Sequence, residues 1–83
     1  MRIFYSKKFL KSYQKLPKNI KEIYKSKEKV LKENPFDPLL GTHKIKSLNC
    51  YAFLVTYKIR VIFQFINGDI YLINIGDHSI YRK

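Results

Sequence analysis

The sequence has few acidic residues, and this shortage limits which partners suit it. Six Asp and Glu stand against seventeen Lys and Arg, so the net charge is +11. A charge of this size favours a polyanion, of which nucleic acid is the commonest, or an acidic protein. Codon bias toward A and T would also raise Lys, but it would raise Asp and Glu as well. The charge therefore indicates an anionic partner.

Cysteine and long apolar runs are also scarce. Cys50 is the only cysteine among 83 residues, which excludes an internal disulfide and fits a reduced compartment. The N-terminus lacks the apolar stretch of a signal peptide, and no segment approaches the ~20 apolar residues of a membrane span. We therefore expect a cytoplasmic protein. Because 46% of the residues are hydrophobic, the chain can form one domain over residues 1–83.

The motifs of several enzyme classes are absent. The chain has no glycine-rich phosphate loop, no Gly-x-Ser-x-Gly motif and no Cys/His catalytic signature. The metal-binding residue types do not have the spacing of a known ligand pattern; they are His43, Cys50, Asp77 and His78. We therefore expect no metal and no other cofactor.

Helical periodicity dominates the first half of the chain. Residues 2–5 predict a short strand, and Ser6 is placed to cap the helix that follows. Apolar residues then recur at helical spacing in two groups: Phe9, Leu10, Tyr13 and Leu16, then Ile20, Ile23, Tyr24, Val30 and Leu31. Pro17 suits the first turn of the second helix, and Asn34-Pro35 ends it. Two helices joined this tightly predict a hairpin.

From His43 the period changes to two, which predicts strands. A short strand over residues 43–47 is followed by alternating residues from Tyr51, from Ile59 and from Ile70. Asn67-Gly68 predicts a type I′ hairpin, because both central residues of that turn need positive φ. The order β-α-α-β-β-β predicts an α+β fold, with a helical hairpin packed on a small, mostly antiparallel, curved sheet.

Five residues of this second half are candidates for a site. Arg60 lies among apolar strand residues, so it is either a phosphate clamp or paired with Asp69 or Asp77. His78 follows the last strand and is either a proton donor and acceptor or a surface residue of the tail. Tyr81 either stacks on a base or anchors the tail to the core. Lys44 and Lys46 either contact phosphate or are ordinary solvated side chains.

Three segments resemble the RelE/ParE toxin superfamily, closest to the RelE- and YafQ-like messenger RNA interferases. They are HKIKSL leading into Tyr51, KIRVIFQFI, and GDIYLINIGDHSIY. The resemblance covers essentially the whole chain and implies a RelE-like fold. It also implies a ribosome-dependent endoribonuclease, the toxin of a type II toxin–antitoxin system, that is held inactive by a cognate acidic antitoxin. No membrane partner is implied.

The resemblance also implies roles for particular residues. Arg60 matches an arginine that contacts the scissile phosphate. His78 matches a histidine that acts as general acid. Tyr81 matches an aromatic residue that holds the substrate. Lys44 and Lys46 lie in the strand where RelE carries catalytic lysines. His43 resembles a histidine at the start of that strand in YafQ-like members.

Two departures from the family pattern keep other functions open. Many relatives carry a basic residue after the strand-opening tyrosine, whereas Ala52 and Leu54 are apolar. The histidine and the acidic residue that YafQ-like members use in the middle of the sheet have no clear counterpart. A ParE-like inhibitor of DNA gyrase would need a binding surface and no acid–base residue. A catalytically degenerate toxin would bind only its antitoxin or nucleic acid.

Overall fold

The computed structural model describes residues 1–81, which form two α-helices and five β-strands in the order β-α-α-β-β-β-β, one strand more than the predicted order contains. The strands are β1 (Ile3–Tyr5), β2 (His43–Ile45), β3 (Cys50–Leu54), β4 (Arg60–Ile66) and β5 (Asp69–Gly76). The helices are α1 (Lys7–Gln14) and α2 (Lys18–Glu33). Short 3-10 turns cover Pro38–Leu40, Lys46–Leu48 and His78–Tyr81. In the described part of the chain, neither helix has the length and apolar character to cross a membrane.

The five strands form one mixed sheet in the order β1-β5-β4-β3-β2. Strand β1 pairs in parallel with β5, and the remaining neighbours are antiparallel. The prediction of an α+β fold with a mostly antiparallel sheet is therefore confirmed. The strand order, which places β4 at the centre and β5 beside it, is set by pairing between distant segments.

The helix starts follow the local sequence closely. The Ser6 hydroxyl accepts a hydrogen bond from the Phe9 amide at 2.9 Å, as expected of an N-cap, and donates one to the Ile73 carbonyl at 2.7 Å. This second bond ties the start of α1 to β5. Pro17 precedes α2 as its extended cap residue, and α2 ends directly before Asn34-Pro35.

The sheet has buried side chains on both faces. Alternate residues of β4 face the helices, and Val61 and Phe63 there are fully buried together with Phe9 and Leu31. The opposite face also holds buried residues: Ala52, Ile62 and Asn74, which are paired across three strands. Because strand residues alternate between faces, this pattern matches a central strand covered on both sides.

The predicted strand over residues 43–47 is wrong in its second half. Strand β2 ends at Ile45, and Lys46 begins a 3-10 turn that closes at Asn49 with a φ of 50°. A left-handed residue reverses the chain, and asparagine tolerates that backbone better than most residues. Lys46 therefore lies outside β2 and does not share a strand face with Lys44.

One carboxylate joins the helices to the first strand. Glu28 in α2 accepts hydrogen bonds from the hydroxyls of Tyr5 and Tyr24, both at 2.6 Å. The ring of Tyr24 packs against Phe9 and Tyr13 of α1, with ring centroids 5.6 and 5.3 Å apart. Burial, followed by the Glu28 hydrogen bond, raises the pKa of Tyr5 to about 12 and raises the pKa of Tyr24 still further.

The hairpin between β4 and β5 gives a stability prediction. Asn67 and Gly68 have φ values of 51° and 82°, as a type I′ turn requires, and a Cβ at Gly68 would meet no atom within 4 Å. Gly68→Ala should therefore lower the free energy of unfolding by about 1–2 kcal/mol through backbone strain alone. Asn67→Gly keeps a residue that tolerates positive φ and should cost less than about 1 kcal/mol. Urea denaturation measures both, and equal stability of Gly68→Ala and the parent would contradict this account.

The tyrosine pair gives a prediction about alkaline pH. A raised pKa in the folded state means that the folded chain keeps its phenolic proton after the unfolded chain has lost it. Stability should therefore be intact below pH 10.0, the ordinary tyrosine value, and should fall as pH rises to about 12. Tyr24→Phe should flatten this decline, whereas Tyr57→Phe, at a side chain that is 88% exposed, should not. Thermal unfolding between pH 9 and 12 tests the difference between the two variants.

Candidate active site

Arg60 opens β4 on the sheet face that points away from the helices. It pairs with Leu54 of β3 and with Gly76 of β5, so one of its cross-strand neighbours has no side chain. The guanidinium is half-buried, and its Nη1 donates a hydrogen bond of 3.4 Å to the Tyr81 hydroxyl. The guanidinium is partly exposed, so it remains accessible to an anion.

His78 begins the 3-10 turn that follows β5, and the turn is fixed by local contacts. The Asp77 carboxylate accepts hydrogen bonds from the Ser79 amide at 2.9 Å and the Ser79 hydroxyl at 2.6 Å. These two bonds lower the pKa of Asp77. A Cβ at Gly76 would lie 2.7 Å from the side chain of Ile80, so the turn folds closely over this glycine.

Tyr81 lies between the arginine and the histidine. Its ring centroid is 5.8 Å from the Arg60 Cζ and 5.0 Å from the centre of the His78 ring, which it meets edge to face. A ring at this distance from a guanidinium attracts it through the π-electron density. Tyr81 therefore anchors the tail against Arg60 and His78, and its stacking on a base stays a prediction.

A cavity of about 230 Å³ brings the arginine and the histidine together. Its walls are Tyr57, Lys58, Arg60, Asp77 and His78. An anion bound here would meet a guanidinium and an ammonium, with an imidazole beside them. Such a set can hold a phosphodiester, neutralise charge that develops on it, and transfer a proton.

The expected pairing of Arg60 with Asp69 or Asp77 is replaced by other contacts. Asp69 accepts a hydrogen bond from the Arg2 amide at 3.1 Å, and Asp77 accepts those from Ser79. The guanidinium instead contacts Tyr81. Within residues 1–81, its charge is therefore not used in an ion pair with either carboxylate.

The other three sequence candidates lie away from this cavity. Lys44 pairs with Tyr51 on the helix-covered side and lines a different cavity at the far end of β4. Lys46 is exposed in the turn after β2. His43 pairs with Ala52, so it shares the sheet face of Arg60 from two strands away, and its Nδ1 lies 3.2 Å from the Gly41 carbonyl oxygen.

Two residues of the cavity carry no signal in the sequence that marks them as functional. Tyr57 and Lys58 belong to the loop between β3 and β4, where the Thr56 hydroxyl accepts hydrogen bonds from the Lys58 and Ile59 amides at 3.2 and 3.0 Å. Tyr57 is 88% exposed, which is unusual for an aromatic side chain. Its position beside Arg60 suits stacking on a base.

No group of metal-binding side chains forms within residues 1–81. There, no three His, Cys, Asp or Glu residues come close enough to hold an ion. The thiol of Cys50 is buried, and burial raises its pKa.

No protein-family profile and no curated protein matches this sequence. Solved structures match it over nearly its whole length. YafQ from E. coli strain BL21(DE3) is 19% identical, with a TM-score of 0.80 over 100% of both chains. The YoeB/ParE toxin from Agrobacterium tumefaciens is 16% identical, with a TM-score of 0.79 over 94% of this chain and 99% of its own.

A third similar structure is the intact E. coli RelBE toxin–antitoxin complex. It is 22% identical, with a TM-score of 0.73 over 92% of this chain and 94% of the other. At such identities a structural match establishes architecture, since one fold can support several functions. By architecture, this chain has the fold of the RelE/ParE toxins.

Proposed function

We propose that this chain is the toxin of a toxin–antitoxin pair, and that it is a cytoplasmic endoribonuclease cleaving messenger RNA on the ribosome. The observation that carries the proposal is the shared cavity of Arg60 and His78. These residues are eighteen positions apart in the sequence and come from different elements. A guanidinium and an imidazole that face one open, anion-sized space suit the cleavage of a phosphodiester.

The proposed reaction is a transesterification within the RNA, assisted by these side chains. A ribose 2′-hydroxyl attacks the adjacent phosphorus while the bond from phosphorus to the 5′-oxygen breaks. Arg60 and Lys58 neutralise the charge that develops on the non-bridging oxygens. His78 donates its proton to the departing 5′-oxygen, and the 2′-hydroxyl proton passes to water or to a group of the ribosome. The products are a 2′,3′-cyclic phosphate and a free 5′-hydroxyl.

Tyr81 and Tyr57 have supporting roles in this proposal. Tyr81 contacts both Arg60 and His78, so it holds the two reacting side chains in one geometry. Tyr57 is exposed at the rim and would stack on a base next to the scissile phosphate. Lys46 and His43 would contact the RNA backbone outside the cavity.

Substitution of the two cavity residues tests the nuclease directly. Arg60→Ala and His78→Ala should each reduce cleavage of messenger RNA in a translation extract by at least about 100-fold, because one removes charge neutralisation and the other the proton donor. Primer extension on the extracted RNA measures the new 5′ ends. Arg2→Ala removes the same charge at an exposed site and should retain cleavage.

The gyrase alternative predicts a different pattern. Ala52 and Leu54 lie on the sheet face of Arg60 and supply no charge there. A toxin that only binds its target would not need catalytic charges at these two positions. If induction of the chain produces DNA breaks and no new RNA ends, the nuclease proposal is wrong. Cleavage that survives undiminished in both cavity variants would overturn the residue assignment while retaining the activity.

The partner in this proposal is a short acidic antitoxin with an amphipathic segment. Residues 1–33 hold eleven basic and three acidic residues, so the helices present most of the positive charge. Apolar side chains are exposed on the same elements: Tyr5, Leu10 and Ile23. An acidic segment with an apolar stripe would cover both features and reduce the self-repulsion of the fold.

Co-expression tests this partner. We expect the chain to give a much lower soluble yield alone than with the product of an adjacent acidic reading frame, because binding to the folded state stabilises it. The pair should remain together through size-exclusion chromatography, and 1 M salt should weaken it by screening. A high yield of stable, isolated chain that is unchanged by the partner would refute this expectation.

A further inference from the structure

The sheet has a gap at the end of β4 that lies farthest from Arg60. The pairing of β3 with β4 ends at Tyr51 and Phe63, whereas β4 continues to Ile66 and pairs there with β5 alone. The last residues of β4 therefore present one backbone edge without a neighbouring strand. We call this gap the β3–β4 notch. It holds a cavity of about 360 Å³ lined by Lys44, Asn49, Cys50, Tyr51, Gln64, Phe65 and Ile66.

We propose that the β3–β4 notch binds one base of a single-stranded RNA and discriminates among bases through Gln64 and Asn49. The inference rests on the proposed RNase function, since it assigns a second contact to the same RNA. Each amide offers both donors and acceptors, which is the chemistry that recognises the edges of unpaired bases. Lys44 reaches the notch from the helix-covered side and is its one cation among residues 1–81; it would contact the neighbouring phosphate.

The position of the notch suits an RNA strand already held at Arg60. Gln64 has the same parity in β4 as Arg60, so both side chains lie on the face away from the helices. Gln64 lies four positions beyond Arg60 along the strand, a distance of ~13 Å. An extended RNA covers this distance within a few nucleotides, so a base in the notch would belong to the strand whose phosphate lies at Arg60.

The walls of the notch are fixed before any ligand binds. The Tyr51 ring packs between those of Phe36, Phe63 and Phe65, with centroid distances of 5.6, 5.8 and 5.3 Å. Asn49 is held in its left-handed conformation by a backbone hydrogen bond to the Lys46 carbonyl at 3.3 Å. Preorganised walls reduce the entropy lost on binding, and such walls favour discrimination between ligands of similar size.

A peptide strand is a less suitable occupant of the same space. The unpaired stretch of β4 is only three residues long, which gives few backbone hydrogen bonds for strand addition. The side chains around it are polar at three positions: Lys44, Asn49 and Gln64. With a net charge of +11, the chain also attracts an anionic strand from a distance.

Binding of uncleavable RNA tests the notch separately from catalysis. The probes are four 5′-fluorescein hexanucleotides with 2′-O-methyl riboses, namely A6, C6, U6 and a mixed sequence containing G, measured by fluorescence anisotropy. Gln64→Met removes the amide at nearly constant volume, and it should weaken binding of the preferred probe roughly fivefold or more and reduce the preference between probes. Its matched control is Gln14→Met, an exposed residue of α1.

Lys44 provides a second variant that does not depend on the amide. Lys44→Gln should weaken all four probes similarly and reduce the slope of log affinity against log salt by about 0.7, the value for one phosphate contact in a single strand. Lys29→Gln, on the exposed side of α2, should leave affinity nearly unchanged. Circular dichroism of each variant checks that the fold is retained.

The outcomes separate this inference from the nuclease proposal. If Gln64→Met behaves as Gln14→Met on every probe, or if the parent chain binds no probe, the base site is refuted. An equal loss on all probes would show a backbone contact only, which also refutes it. If base preference depends on Gln64 while messenger RNA remains intact in the extract, the base site stands and the nuclease proposal fails.

Discussion

The alternation of side chains along β4 is the constraint on which the rest of the molecule depends. One set of residues, including Val61 and Phe63, closes the core beneath the helices. The other set begins at Arg60 and continues through Ile62 to Gln64 on the opposite face. Because the period of a strand is two, a slip of one residue would bury Arg60 in the core and expose the phenylalanines. Pairing with β3 and β5 on both sides prevents that slip.

The 3-10 turn over His78–Tyr81 forms the candidate site together with the sheet face of Arg60. Gly76 lies directly opposite Arg60 and carries no side chain, so Ile80 can fold against it. The turn then places His78 on the rim and Tyr81 against the guanidinium. Asp77 stabilises the turn through Ser79 instead of neutralising Arg60. In the part of the chain that the structure describes, residues 1–81, the half-buried guanidinium is hydrogen-bonded to Tyr81 and to no carboxylate, so its charge is available to an anion in the cavity.

The two helices have a positively charged outer surface and an inner surface that packs on the sheet. The helices carry most of the excess lysines on their outer surface, while their inner surface joins the sheet through aromatic rings and Glu28. That carboxylate is one of three acidic residues against eleven basic ones in residues 1–33. The outer surface is therefore suited to an acidic partner, and the opposite face of the sheet is suited to a nucleic acid.

Local signals in the sequence were sufficient for the elements of the fold. Ser6 and Asn34-Pro35 marked helix ends, Asn67-Gly68 marked the hairpin, and a period of two marked the strands, because each of these depends on neighbouring residues only. The exception was β2, where alternation continued beyond Ile45 although pairing with β3 had ended. Parity along the sequence does not show where a partner strand stops.

The sequence by itself determined the α+β class, the helix and hairpin boundaries, the excess of positive charge and a set of candidate residues. Only the tertiary structure decided which candidates meet: Arg60, His78 and Tyr81 converge, whereas Lys44 lies at the opposite end of β4. It also decided that Tyr57 and Lys58 line the cavity of Arg60 and His78. The β3–β4 notch, likewise, forms because β4 extends beyond the last residue paired with β3. The physical reason is that periodicity and turns are local, while convergence depends on strand order, register and strand length, which distant segments set together.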